Sequence, residues 1–213
     1  MNKIKVIQTE YRGYLFRSRL EARWAVFFDA CGVEWEYEPE GYDLGHGVYY
    51  LPDFLLHDVQ FGGFGSDSTL SDIRNLYVEV KGQMTQEDAK KITSFYKAGV
   101  TDELSGLSRT PVLVLGNIPA GATLDDIRSC ADIKSGGRFP LEARAFHFGT
   151  VDGMDCTAFP GVNREGYLEL FGQAEQYNLR FMNRKATECA YRLARQARFE
   201  HGEMPEIRRR RHA

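Results

Sequence analysis

Four consecutive apolar β-formers, Val112-Leu113-Val114-Leu115, follow Pro111 with no polar residue among them. A strand that can expose neither face to water belongs inside a sheet covered on both sides, the usual setting of parallel strands in α/β proteins. The sequence just upstream supplies the partners such a strand needs. Leu76-Tyr77-Val78-Glu79-Val80-Lys81 alternates apolar and polar side chains as a half-buried strand does, and Gly82 closes it. Thr85 and Asp88 have capping-box spacing, Ala89, Ile92, Phe95 and Tyr96 form a helical stripe, and Gly99 ends it. Strand, helix and strand in this order predict a crossover between parallel neighbours.

Earlier in the chain, Ser18 precedes Leu20, Trp24, Phe27, Phe28 and Cys31, whose spacing by three and four marks the buried face of a helix ending at Gly32. Residues 33–38 alternate apolar with acidic, and 48–56, entered through a turn at Gly45 to Gly47, are rich in β-formers, so the two predict a hairpin. Residues 60–72, rich in Gly, Ser and Asp, read as a mobile loop. The order helix, strand, strand, strand, helix, strand gives an α/β core with a mixed sheet over residues 1–117. Residues 118–172 are expected to form an accessory α+β segment packed on that core, with a short helix over 124–130 and a strand over 144–150. A last helix is read over 173–200, with Ala186, Cys189, Leu193 and Ala197 on one face and Arg184, Arg192, Arg195 and Arg198 opposite. With the basic tail it makes residues 173–213 a C-terminal helical extension.

A chain of 213 residues that is 43% hydrophobic can bury a sizeable core. No apolar run approaches the roughly 18 residues of a membrane span and no signal-peptide core follows Met1, so the chain is expected in the cytoplasm with no membrane partner. Cys31, Cys130, Cys156 and Cys189 form no CxxC pair and are read as reduced and structural. The net charge of −3 conceals an asymmetry: residues 180–213 hold 10 Lys and Arg against 4 Asp and Glu, leaving 17 against 26 in the rest. An acidic body with a basic arm suits a protein that gathers cations in one place and a polyanion in another, although a solvated helix face has the same composition.

Chemistry concentrates on the alternating strand. Tyr77, Glu79 and Lys81 share one of its faces, with Glu79 and Lys81 about 6.5 Å apart at Cα, close enough to reach one phosphate and its metal ion. Asp53, just after Pro52 at the end of the preceding strand, is a third candidate for the same spot. Mg²⁺ takes few carboxylates and completes its shell with water and phosphate oxygens, which two acids and a lysine satisfy. A solvated ion pair across a strand face has the same spacing.

Pro52-Asp53 followed by Glu79-Val80-Lys81, in this order of elements, resembles the PD-(D/E)xK nuclease superfamily, which includes restriction enzymes, transposon end-cleaving nucleases and phage exonucleases. Arg17-Ser18-Arg19-Leu20-Glu21-Ala22-Arg23-Trp24 is similar to the helix segment that adds a glutamate to the metal site in several members. The resemblance covers roughly residues 10–117, with the glycine-rich loop lengthening the Asp53 to Glu79 spacing, and no motif beyond 117 matches. It implies a restriction-endonuclease-like αβββαβ core and a Mg²⁺-dependent deoxyribonuclease, endonuclease in type, in which Mn²⁺ can substitute. Asp53 and Glu79 would bind the metal by carboxylate, with the Val80 carbonyl as a third ligand. Lys81 would orient or deprotonate the attacking water, and Glu21 would join the metal directly or through water. The metal would acidify its water and steady charge on the phosphate. The resemblance suits a phage or mobile-element protein acting in a bacterial or infected host cell.

Other readings stand beside these. Ser18 and Glu21 are spaced as a capping box, which gives Glu21 a purely structural role. Gln83 could touch water or substrate or be an ordinary loop residue, and Tyr77 is either beside the site or a sheet aromatic in the core. His46, His57, His147, His201 and His212 show no metal-ligand spacing; of these only His57, on the loop after Asp53, is a candidate, and a surface histidine is its plainer reading. Arg12, Arg17, Arg19 and Arg23 around the first helix, and Arg208, Arg209, Arg210 and Arg211 at the end of the chain, could neutralise DNA phosphates without reading sequence. The main rival function is a non-cleaving nucleic-acid-binding or inhibitory protein on the same core, and a weaker rival is an enzyme acting on RNA. One site per chain would call for a homodimer or for sequential cutting of two strands.

Overall fold

The computed structural model describes residues 7–61, 72–100, 110, 112–119, 134–135, 146–147, 158–172, 178–200, 203–205 and 207. The helix expected over 124–130, the interior of the 60–72 loop, the start of the 173–200 helix, Cys130, Cys156, His201, His212 and Arg208 to Arg211 lie outside these residues.

The chain opens with a hairpin not read from the sequence, β1 (Thr9–Tyr11) and β2 (Tyr14–Phe16), turned through Arg12 and Gly13 at φ 51° and 81°. Two residues of positive φ match the right-handed twist of the paired strands, and Gly13 adopts this conformation without steric cost. Helix α1 (Arg19–Cys31) follows as expected. The Ser18 hydroxyl accepts from the Glu21 amide, and Gly32 closes the helix in the left-handed conformation.

Next come β3 (Trp35–Tyr37), the small hairpin of β4 (Tyr42–Asp43) and β5 (Tyr49–Tyr50), β6 (Phe54–Phe61) and β7 (Asp72–Val80). The single strand expected over 48–56 is therefore two. Pro52 has no N–H to give a ladder, and the chain turns between β5 and β6. Residues 60, 61 and 72, expected in a loop, extend β6 and β7, whose antiparallel ladder shifts register between Leu56 and Val59 around Asp58 at φ 56°. The predicted hairpin is the antiparallel pair β3 and β6, with Tyr37 opposite Phe54.

β8 (Gln83–Met84) leads into α2 (Gln86–Ala98), whose capping box of Thr85 and Asp88 is complete and whose end lies at Gly99. β9 (Val112–Leu115) then runs parallel to β7, Glu79 opposite Val114. Its four residues are all buried: Leu113 and Leu115 join a core with α1, Val112 and Val114 a second one with α2. The apolar run is thus covered on both faces, as expected.

Later segments complete the sheet. β10 (Lys134–Ser135) pairs with β8, and β11 (Phe146–His147), within the expected strand over 144–150, runs parallel to β9. β12 (Ala158–Val162) and β13 (Leu168–Gly172), also not anticipated, form an antiparallel pair that joins β6 through Glu169 and Gln60. The main sheet is mixed, in the order β11-β9-β7-β6-β13-β12, and β3 shares with β13 the edge of β6 away from β7. It crosses the expected boundary at residue 117. After a 3-10 turn (Asn178–Phe181), α3 (Arg184–Gln196) is capped by Asn183 and is shorter than the helix read over 173–200.

α3 buries Thr187, Ala190, Tyr191 and Ala194, not the face containing Cys189 and Leu193. Alanines occur around the whole helix, so Tyr191 decides which side turns inward; its ring lies 4.5 Å from Phe27 and 6.1 Å from Trp24. Arg184, Arg192, Arg195 and Arg198 do face water. Covered by α3 on one side and the sheet on the other, α1 buries far more than a stripe, including Glu21 and Asp29. Asp29 is satisfied there by Tyr11, Arg12 and Trp35. Among the described residues no helix is long and apolar enough to cross a membrane.

Candidate active site

The register of β6 and β7 builds the site. Phe54 lies opposite Val78, so one step further the antiparallel ladder brings Asp53 opposite Glu79. Asp53 therefore stands at the start of β6, not at the end of a preceding strand. Its side chain is almost fully buried, and Oδ2 accepts the Val80 amide at 2.6 Å. Oδ1 accepts from Nη2 of Arg17.

Glu79 is also buried, and its two oxygens have different partners: Oε2 accepts from the Tyr50 hydroxyl at 2.8 Å, and Oε1 pairs with Lys81 Nζ at 2.7 Å. Lys81 also lies 3.7 Å from Asp88, at the capped start of α2. The alternation of β7 thus puts Glu79 and Lys81 together as expected, in a place too enclosed for a solvated surface pair. Tyr77, on the same face, shares a hydrogen bond with the Tyr42 hydroxyl and packs on Phe95, which makes it a core aromatic. Gln83 is exposed on β8.

Glu21 makes half of the capping box its spacing predicts: its amide gives to the Ser18 hydroxyl, while its carboxylate takes partners other than the Ser18 amide. Oε1 accepts from the Ser18 hydroxyl at 2.7 Å; Oε2 accepts from the Tyr37 hydroxyl at 2.6 Å and the Arg17 amide at 3.1 Å. Its buried carboxylate stands near enough to Asp53 to disfavour charge there.

Three carboxylates in one buried place repel one another. Burial first, then the charge of Glu79, push the Asp53 carboxyl up to about 8, against the Val80 amide and Arg17, which favour its charged form. Both Asp53 oxygens nonetheless face donors, which can hold the carboxylate once its proton has left. Burial is the main cause of the upward shift, and a local excess of acids adds to it: Glu21, Glu38, Asp53, Glu79 and Asp88 stand against Arg17 and Lys81. Burial works to lower the Lys81 pKa, but Glu79, Asp53 and Asp88 outweigh it and raise the value above that of an ordinary lysine. Lys81 is firmly a cation here, unsuited to taking a proton. The Tyr50 hydroxyl, pushed well up by burial and then by Glu79, stays a donor.

The donor set is hard oxygen, crowded and short of cations, which fits a divalent metal of the Mg²⁺ class. Among the described residues no group of three or more His, Cys, Asp or Glu side chains is arranged to hold a metal by itself. An ion here would rest on Asp53 and Glu79, with the Val80 carbonyl and water completing the shell, and with Glu21 behind them.

The arginines divide. Arg17 is in the site, paired with Asp53 and, through Nε at 2.8 Å, with Glu38. Arg12 is committed to Asp29 and Arg19 to Glu200 at 2.6 Å. Arg23 Nε is buried with no hydrogen-bond partner among the described residues, and burial, then the like charge of Arg19, lower its pKa. The first-helix arginines are thus largely engaged within the protein. His57 is on β6, not on a loop, and bridges Glu36 and Asn75 away from Asp53. Tyr37, Glu38 and Tyr50 were not singled out from the sequence, and Asp88 was read only as the capping-box partner of Thr85. Tyr37 and Tyr50 look like core aromatics, and the only hint of more is a hydroxyl at a position that will be buried.

Comparison of the chain with protein-family models, with curated proteins and with solved structures returns no match to any of them.

Proposed function

We propose that the protein is a metal-dependent nuclease of the PD-(D/E)xK type that hydrolyses phosphodiester bonds in DNA, built on a restriction-endonuclease-like core. The observation that carries this reading is the meeting of Asp53, Glu79 and Lys81 at one end of β6 and β7, buried and short of positive charge. A purely structural ion pair has no reason to gather further acids around itself, because each adds repulsion and desolvation cost.

Asp53 and Glu79 would hold a Mg²⁺ or Mn²⁺ ion, which supplies an acidified water and positive charge beside the scissile phosphate. Lys81, held as a cation by its acidic neighbours, would orient that water and stabilise charge on the phosphate. Tyr50 and Tyr37 fix the rotamers of Glu79 and Glu21 from behind. With one site per chain, cutting a duplex calls for a homodimer or for two successive events.

The test is incubation of the protein with supercoiled plasmid, linear duplex, single-stranded and branched DNA, and RNA, in Mg²⁺, Mn²⁺ or EDTA, beside Lys81→Ala. The expected result is metal-dependent cleavage of DNA that the variant loses. Salt-sensitive DNA binding by both proteins, with no cleavage by either, would replace this reading with a non-cleaving binding protein. Cleavage of RNA alone would move the substrate class.

A further inference from the structure

Arg17 is anchored by its backbone and half-exposed along its side chain. Its amide donates both to Glu21 Oε2 and to the Tyr37 hydroxyl, each at 3.1 Å, so the residue cannot move far from the start of α1. Its side chain remains 52% exposed as it reaches over the nearly inaccessible Asp53. Of the two Asp53 oxygens, Oδ2 is committed to a backbone amide of the central sheet, which is fixed by the ladder between β7 and β9. Oδ1 is therefore the oxygen a metal ion would take, and Arg17 holds it. A guanidinium and a divalent ion cannot share one lone-pair region at close range, since their like charges repel strongly away from bulk water.

Arg17 also has somewhere to go. Glu38 lies next to Asp53 because the Glu38 amide donates to the Asp53 carbonyl at 2.9 Å, and its carboxylate already receives Arg17 Nε. Letting go of Asp53 leaves the guanidinium paired, solvated and at the rim of the site, with one edge of its planar fork free for a phosphate.

We propose, resting on the nuclease reading above, that Arg17 is a displaceable counter-ion. It occupies Asp53 Oδ1 until a divalent cation takes that oxygen, then turns on its Glu38 contact to grip the backbone phosphate of the nucleic acid. Metal and nucleic acid each favour the same released position, so each strengthens binding of the other, and by linkage the enhancement is equal in both directions. An enzyme of this design holds metal weakly until its substrate arrives.

Mn²⁺ titration of the full-length protein, followed by calorimetry, tests this without any turnover. Wild type, Arg17→Met and Asp53→Asn are compared alone and with a short duplex carrying hydrolysis-resistant phosphorothioate linkages. Arg17→Met is expected to bind Mn²⁺ about tenfold more tightly than wild type in the absence of duplex, within the usual range of coupling between sites. It should also lose the gain in Mn²⁺ affinity that the duplex gives wild type. Equal or weaker Mn²⁺ binding by Arg17→Met, with Asp53→Asn abolishing it in either background, overturns the counter-ion role while leaving the metal site standing. No Mn²⁺ uptake by wild type or Arg17→Met, with or without duplex, overturns the nuclease reading and this inference with it. Arg17→Lys guards against misfolding of the methionine variant. It keeps the charge but lacks the fork that bridges Asp53 and Glu38, and should lie between wild type and Arg17→Met in both readouts; affinities identical to wild type count against the proposal.

Discussion

A single carboxyl, that of Asp53, concentrates the physical tension of the molecule. Its ordinary value is 3.8, and burial and Glu79 raise it to about 8. Between those values the folded protein keeps a proton that the unfolded chain has lost, so this group makes stability fall as pH rises through the window and adds no further change above about 8. A metal ion needs the same oxygen deprotonated. Mn²⁺ affinity is therefore expected to increase with pH up to about 8, with protons released on binding at neutral pH. Calorimetry in buffers of different ionisation enthalpy measures that release, and metal uptake that frees no protons would contradict the account. At this scale the sequence was partly readable. The strand period alone put Glu79 and Lys81 on one face, but nothing in it says that Arg17, one of four arginines around the first helix, reaches Asp53.

 That contact depends on where the end of β2, the start of α1 and the β3 to β6 ladder meet, which is tertiary information.

At the scale of elements, the segments with both a period and a punctuation mark were legible. α1 has Ser18 and Gly32, α2 has Thr85 and Gly99, and β9 has an unbroken apolar run. β12 was hidden because Pro160 and Gly161 lie inside it and read as a turn. An outer strand tolerates the proline, and a Cβ on Gly161 would come within 3.1 Å of the Phe171 ring and 3.2 Å of Thr187, so glycine lets α3 and β13 pack closely there without either giving way. The β4 and β5 hairpin was hidden because its strands are two residues each. Its contribution to the site is Tyr50, whose ring packs 4.7 Å from Phe95 while its hydroxyl holds Glu79. Tyr50→Phe keeps the packing and removes the donor. It is expected to cost about 1–3 kcal/mol in urea unfolding, from the buried oxygen left unpaired. Cleavage should fall roughly 10- to 100-fold, as when a group supporting a metal ligand is lost. Unchanged cleavage by a fully folded variant would show that Glu79 needs no such support.

Across the whole molecule, one mixed sheet with α1 and α3 on one face and α2 on the other explains where the chemistry falls. The inner strands β6 and β7 are paired on both edges, and the site stands at their shared end, where the N-terminus of α1 and the β5 to β6 turn converge. The alternation of β7 was enough to put Glu79 beside Lys81, but Asp53 was read at the end of a strand and stands at the start of β6, because the break at Pro52 and the β6 to β7 register decide its place. The joining of β13 to β6 was not legible, since Gln60, Asn163 and Glu169 meet as a buried polar cluster from distant parts of the chain. The central claim is that Asp53 and Glu79 together hold a divalent cation. Anomalous scattering from Mn²⁺ soaked into crystals of the protein tests it most directly. The account predicts a peak at coordination distance, about 2.0–2.2 Å, from an oxygen of each carboxylate, with Arg17 turned away from Asp53. A map with no peak between them at saturating Mn²⁺, and Arg17 still on Asp53, would contradict it.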